Sequence, residues 1–385
     1  MTGLATVSDR IHWPTAVGRG AFLACSWTWC IGMWLPVILI REFGWMGFIA
    51  FAIPNVVGAA GMGLALRRPG ASERLSVRYG RAMRAFSLAT IAFHAFFVTW
   101  MMGPLASWVS GLLVAAPALI LAVGAFGLRP LGSRAWTALA PLCWLGSATL
   151  LGTWLFLGRG GIVLPEMWGR SHPTGLLWLT PVLALGFGAC PFLDPTFHRV
   201  RRETPGATGS AAFVLGFGAL FLVMIVATAL YAGGAIERRS LSSFVLGHML
   251  LQSIFTVGAH AREVDRRTLW TPILIGLAAA LVPKSAWFAS PGLSSEDVYR
   301  LFMGFYGLLF PAYVWIVMTP RRSASGLATW LGALALAAPC FWLGFIEMRW
   351  VWLAPGCAIV LGAPLVRGLF GPAKRGHMGA DPASW

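Results

Sequence analysis

Twelve apolar stretches, each close to the length of a membrane-crossing helix, take up most of this chain. A hydrocarbon core about 30 Å thick takes about 20 apolar residues per helix. On that measure spans 1 to 12 cover residues 20–40, 45–66, 85–102, 105–127, 134–157, 174–192, 209–232, 241–259, 269–287, 299–319, 325–346 and 349–368. Of 385 residues, 58% are hydrophobic and 11% charged, and the mean hydropathy is +0.74. Soluble domains carry roughly a quarter charged residues. The composition therefore predicts an all-α polytopic membrane protein, with the lipid bilayer as the partner of most of its surface.

The net charge of +16 comes from 29 Lys and Arg against 13 Asp and Glu. The basic residues gather in segments beside spans, which is the pattern of membrane topology and not of nucleic-acid binding. Six of them, Arg67, Arg68, Arg74, Arg78, Arg81 and Arg84, fall between spans 2 and 3. The excess of Lys and Arg on alternate loops predicts both termini in the cytoplasm. The preference for Arg over Lys suggests a bacterial source, hence the inner membrane. The opening residues are too polar for a cleaved signal peptide, and the short loops leave no room for a soluble domain. The six cysteines (Cys25, Cys30, Cys143, Cys190, Cys340, Cys357) lie in apolar stretches with no Cys-x-x-Cys, so neither a disulfide framework nor a zinc site is expected. Trp13, Trp45, Trp108, Trp168, Trp270, Trp287 and Trp350 fall near span ends, as interfacial belts do.

Two spans carry helix-breaking residues in matching places. Span 1, AFLACSWTWCIGMWLPVILI, has Gly32 and Pro36; span 6, LLWLTPVLALGFGACPFL, has Gly186, Gly188 and Pro191. Proline removes a backbone donor, and glycine lets the chain unwind nearby. An offset of five spans means that the two run in opposite directions. Secondary transporters built from inverted repeats place a pair of discontinuous helices at the midplane in this way. Span 6 runs into FLDPTFHRVRRETPG, residues 192–206, a basic segment that still reads as helical. Phe197 and His198 are expected at the membrane interface, with the arginines facing anionic headgroups.

This order of spans and the DPTFHR segment resemble the sodium/solute symporter family of the amino acid–polyamine–cation superfamily, whose members have the LeuT-like fold. The resemblance implies an opening segment 1–19, a five-helix repeat 20–158, an inverted repeat 174–319, two further helices 325–368 and a tail 369–385. It also implies a permease or symporter that moves a small solute by alternating access, with no cofactor other than Na⁺ as coupling ion. Sparse charge at depth points to a neutral or zwitterionic solute. Around the two breaks, Ser26, Trp27, Cys30, Gly32, Phe187 and Gly188 are the expected substrate contacts. The family's cation site uses adjacent hydroxyls on the eighth helix. Here that helix offers Ser253 and Thr256, three residues apart. Asp194 and Arg199 are the expected latch of an inner gate.

Polar residues inside spans complete the reading. In span 8, His248, Gln252, Thr256 and His260 recur every four residues, and such steps form one slowly drifting stripe on a helix. A stripe of that kind must face protein or a water-filled path. His248 and Gln252 are candidates for substrate or proton, as is His94 in span 3. The bland reading of all these groups is interhelical hydrogen bonding. No carboxylate lies at the centre of a span: Asp194, Glu42, Glu166, Glu237 and Glu347 lie at ends or in loops. Two other readings stay open. One is a non-transporting sensor or accessory protein on a transporter fold. The other is a haem-bearing redox protein using His94 and His248 as axial ligands. A membrane enzyme is not expected, because no catalytic constellation lies at depth.

Overall fold

The computed structural model describes residues 10–103, 112–157, 162–238, 241–284, 293–319 and 326–370. Trp108, Trp287, the first nine residues and the tail beyond residue 370 lie outside the described residues. Within them the chain is helical wherever it is regular, and eight helical runs are long and apolar enough to cross a membrane. Two shorter apolar helices, Ala116–Leu128 and Trp350–Leu365, accompany them. The protein is an integral membrane protein. We label its helices after the twelve apolar stretches: α1a Trp13–Trp27, α1b 30–43, α2 45–65, α3 Ala71–Met102, α4 Ala116–Leu128, α5 Ser133–Leu157, α6 Thr174–Leu193, α6b Pro195–Glu203, α7 Gly206–Ile236, α8 Ser243–Ala261, α9 Trp270–Leu281, α10 Ser295–Met318, α11 Gly326–Ile346 and α12 Leu353–Phe370.

The interruption of the first helix is not at Gly32 or Pro36. It falls earlier, at Thr28 and Trp29, where Trp29 is extended (φ −76°, ψ 175°), and Pro36 sits inside regular helix. Thr28 Oγ1 bonds back to the Ala24 carbonyl at 2.8 Å, a local competitor of helix continuation. Pro36 is tolerated because a neighbouring helix replaces its missing donor. The Gly32 carbonyl, four residues before it, accepts from Thr228 Oγ1 of α7 at 3.0 Å. The sixth helix also breaks later than expected. α6 is regular to Ala189, tightens over Cys190–Leu193, and becomes extended at Asp194 (φ −77°, ψ 107°). Between α1b and α2 the chain turns at Gly44 (φ 63°, ψ −149°), a conformation open only to glycine.

Glycines mark where helices cross most closely. A Cβ at Gly18 would lie 2.9 Å from the Thr137 carbonyl, joining α1a to α5, and one at Gly186 would lie 2.8 Å from the Tyr306 carbonyl, joining α6 to α10. Gly20 meets Gly216 where α1a crosses α7, and Gly58 meets the Phe187 carbonyl where α2 crosses α6. Gly276 meets the Ala92 carbonyl (α9 on α3), and Gly124 meets that of Ile254 (α4 on α8). Each crossing of one pair becomes the other when helix numbers 1–5 are raised by five and 6–10 lowered by five.

Two loop expectations change. The arginines at 74, 78, 81 and 84 lie on the first turns of α3, which begins at Ala71 and not at residue 85. The segment 192–206 is helical over Pro195–Glu203, as expected, but it is covered by protein. Phe197 and His198 are fully buried instead of interfacial. Phe197 packs on Trp27 (5.0 Å) and Phe217 (5.1 Å). Arg201 donates to the carbonyls of Leu66 (3.1 Å) and Arg67 (3.2 Å) at the end of α2, where helix carbonyls lack partners and favour a cation.

Candidate functional site

A cavity of about 340 Å³ lies between the broken helices. Trp27, Trp29 and Gly32 line it from α1a and α1b, Asn55 from α2, and Gly186, Phe187 and Cys190 from α6. Arg300 and Tyr306 of α10 and Phe341 and Phe345 of α11 close it. Its walls are mainly apolar. Among its polar groups, Trp27 Nε1 donates to Asn55 Oδ1 at 2.6 Å, and the Tyr306 hydroxyl pairs with Thr90 Oγ1 at 3.0 Å. A separate vestibule of about 1050 Å³ is lined by Trp34, Arg41, Trp100, Trp168 and Arg170.

The backbone groups freed at the first break are largely taken by side chains from distant helices. The Cys25 carbonyl accepts from Thr256 Oγ1 of α8 at 3.1 Å, and the Ser26 carbonyl from the indole N–H of Trp29. The Cys30 N–H donates to His94 Nε2 of α3 at 3.4 Å. Tyr299 of α10 donates to the Cys30 carbonyl at 3.0 Å, and Tyr231 of α7 to that of Met33 at 2.5 Å. Buried backbone polar groups require such partners, because lipid offers none.

Ion pairs clamp both ends of the first helix. At one end Arg19 pairs with Glu203 (2.7 Å), and Arg199 pairs with Glu263 (2.5 Å) and reaches Glu203 at 3.7 Å. At the other end Arg41 holds Glu296 through two bonds (2.7 and 2.5 Å), and Arg300 holds the same carboxylate at 2.6 Å. Glu296 is thus gripped from the vestibule side by Arg41 and from the cavity side by Arg300. Beside them Glu42 is buried under Arg170 (2.5 Å), Arg41 (3.1 Å) and Ser171 (2.7 Å).

Asp194 and Arg199 do not pair. Asp194 caps α6b, with Oδ1 accepting from Thr196 N (2.8 Å) and Thr196 Oγ1 (2.7 Å). Its Oδ2 faces His260 Nε2 of α8 at 3.9 Å. Burial pushes the Asp194 carboxyl up to about 7 against the opposing bonds from Thr196. Burial likewise pushes His198 down to about 4. Its ring is held neutral between Ser72 Oγ (2.7 Å) and the Phe192 carbonyl (3.0 Å).

Of the residues expected to contact substrate, the cavity gathers Trp27, Gly32 and Phe187. Gly188 is exposed on the outer side of α6, with open space where a Cβ would stand. Ser26 bonds back to Leu23, and Cys30 acts through its backbone. Gln252 donates to Ser147 of α5 at 2.7 Å. His248 is buried with neither ring nitrogen hydrogen-bonded, and it lines no part of the cavity. Ser253 has a buried, unbonded hydroxyl, while Thr256 Oγ1 donates to the Cys25 carbonyl of the first break. Both ring nitrogens of His94 are engaged, Nδ1 with the Thr90 carbonyl at 2.8 Å and Nε2 with Cys30, so ligation through Nε2 would cost it the bond from the Cys30 N–H. No group of three or more His, Cys, Asp or Glu able to hold a metal occurs among the described residues. Of the three tryptophans that crowd the first broken helix in the sequence, Trp27 and Trp29 line the cavity and Trp34 does not, whereas Asn55, Arg300 and Tyr306 were not singled out from sequence. Asn55 is a lone amide in AIPNVVG, and a polar residue at that depth is a legible signal. Compared with known proteins, the chain matches no family profile and no curated protein.

Proposed function

We propose that the protein is a secondary transporter that moves a small solute through the cavity between its two interrupted helices. The observation that carries this reading is the cavity itself, walled by Trp27, Trp29 and Gly32 beside one break and by Phe187 and Cys190 before the other. The breaks touch, Trp27 against Phe197. The paired crossings support a five-plus-five inverted repeat within a LeuT-like arrangement of twelve membrane-crossing helices. Gly18 and Gly186, which occupy equivalent crossings, lie 168 positions apart. The same shift carries the break at Thr28 and Trp29 to Thr196 and Phe197, within a turn of Asp194. The opposed ion-pair clusters then act as gates, Arg41 and Glu296 towards the vestibule, and Arg19, Arg199, Glu203 and Glu263 at the other end.

The test is uptake of a panel of radiolabelled neutral and zwitterionic solutes by the full chain in liposomes, under imposed Na⁺ and H⁺ gradients. Met303→Trp, which fills the cavity, should abolish uptake of any solute the wild type moves while leaving the protein inserted. A wild-type chain that moves none of the panel, or a Met303→Trp chain that moves it normally, overturns the reading.

A further inference from the structure

Asp194 and His260 are buried groups whose facing atoms have no partner. Oδ2 and Nε2 stand 3.9 Å apart, both closed off from solvent and neither hydrogen-bonded. An unpaired polar atom in such a place costs free energy, and an isolated carboxylate costs far more. The other atom of each group is committed. Oδ1 accepts two bonds from Thr196, and His260 Nδ1 pairs with Ser87 Oγ of α3 at 3.0 Å. A serine hydroxyl can donate to a bare ring nitrogen or accept from a protonated one, so Ser87 suits either state of the imidazole.

Apart from the backbone N–H of Phe197, which also favours the Asp194 carboxylate, no opposing charge compensates the pair. Of the titratable groups around the pair, Glu263 acts on Asp194 and His94 on His260, while Cys190 and Tyr306 feel the Asp194 charge. Glu263 is already held by Arg199, and it raises the Asp194 carboxyl further. Trp29 covers the His260 ring at 5.5 Å and Phe86 lies at 6.2 Å, so the site is walled by aromatic surface. The species that fits between two atoms so enclosed and so far unsatisfied is a proton.

We propose that Asp194 and His260 form a proton-binding site that sets the angle between α6 and α6b. With the proton bound, Nδ1–H donates to Ser87, Nε2–H donates to Oδ2, and the pair carries no net charge. A charge-assisted N–H···O bond spans about 2.8 Å, so proton binding draws the two residues together by about 1 Å. Asp194 is the extended residue between the two helices, and Trp29 of the first break rests on the other partner, so this closure reaches both interrupted helices. When the proton leaves, Ser87 can donate to Nδ1 and Nε2–H can still face Oδ2, but the buried carboxylate has lost its opposing charge, and the junction relaxes towards water. Use of the site to drive solute movement rests on the transporter reading; the proton site itself rests on the geometry alone.

The test is solid-state NMR of the full chain in lipid, labelled with ¹⁵N-histidine and ¹³C-aspartate and titrated through neutral pH. The His260 ring and Asp194 carboxyl signals should move together with one shared midpoint. Asp194→Asn, which keeps the α6b cap, should leave His260 neutral throughout, and His260→Gln should shift the Asp194 midpoint. Spin labels replacing Arg202 on α6b and Arg78 on α3 should report a distance change with the same midpoint, lost in Asp194→Asn. Signals that fail to titrate, or that titrate independently in the two variants, overturn the site. A titrating pair with an unchanged label distance overturns its control of the junction. Neither readout needs transport, so failure of the site and failure of the transporter reading are distinguishable.

Discussion

The repair of Pro36 by Thr228 can be tested quantitatively. Proline has no N–H, so the Gly32 carbonyl loses its helical donor, and Thr228 Oγ1 supplies one from α7 at 3.0 Å. Thr228→Val keeps the shape and removes that donor. Leaving a buried acceptor unpaired costs roughly 1–3 kcal/mol, whereas interhelical bonds in membranes average about 0.6 kcal/mol because alternatives exist. Here the alternative is the one proline has deleted, so a cost of about 1.5 kcal/mol, roughly tenfold in the unfolding equilibrium, is expected. Pro36→Ala restores the backbone donor. In that background Thr228→Val should cost less than about 0.5 kcal/mol, giving a coupling energy of about 1 kcal/mol. The assay is reversible unfolding in mixed micelles, followed by helicity, for the two single variants and the double. Additive costs would refute the repair, because they would mean that the two residues do not share one carbonyl.

Gly44→Ala should cost about 2–4 kcal/mol, combining a positive φ that alanine resists with a Cβ driven into the backbone of Glu166 and Met167; a loss under about 1 kcal/mol in the same assay would contradict the turn. Glu42→Gln should destabilise by about 2–3 kcal/mol, below the full cost of breaking a buried pair because Arg170 is 56% exposed, and it should make the segment 162–173 protease-sensitive. Glu203 is pushed up by burial, but the Ser133 hydroxyl and the charges of Arg19 and Arg199 outweigh this and hold it below its ordinary value. A carboxyl depressed in the folded state stabilises above its unfolded value and loses that contribution as pH falls through the folded one. Wild type should therefore exceed Glu203→Gln in stability at neutral pH, by about 1 kcal/mol or less given partial exposure, and the two should converge in acid; a gap independent of pH would refute the assignment.

Helix positions were legible because apolar runs of bilayer length leave few alternatives, and α6b because its basic residues keep helical spacing. The position of the breaks was not. Gly32 and Pro36 carry the local signal, yet the chain opens at Thr28 and Trp29, because the partners that stabilise an open backbone there, His94, Thr256 and Tyr299, come from three other helices. The span 8 stripe was legible as buried but not as divided. Steps of four residues drift by about 40° each on a helix. Accordingly Gln252 faces Ser147 of α5, Thr256 the Cys25 carbonyl of α1a, and His260 Ser87 of α3. Asp194 read as a helix-end charge because its partner is 66 residues away in sequence and its other oxygen performs the capping that the motif announces.

Exposure separates the ion pairs that can open from those that hold. Arg41 and Glu296 are 24% and 23% exposed, and Arg199 and Glu203 are 25% and 26% exposed. Pairs so close to water are worth on the order of 1 kcal/mol or less each, so modest binding energy can part them. Glu42, at 2% exposure, cannot give up its partners at that cost, because a lone buried carboxylate would remain. It pins the turn at Gly44 to the segment 162–173, through Ser171 N on its own carbonyl (2.7 Å) and Trp45 N on that of Glu166 (2.9 Å). In a carrier, α1b would therefore move about a fixed corner at Gly44 and a loosened middle at Thr28 and Trp29. In that reading, release of Arg41 from Glu296 would open the cavity to the vestibule without disturbing Arg19 and Glu203 at the far end, because no continuous ladder of backbone hydrogen bonds crosses the break.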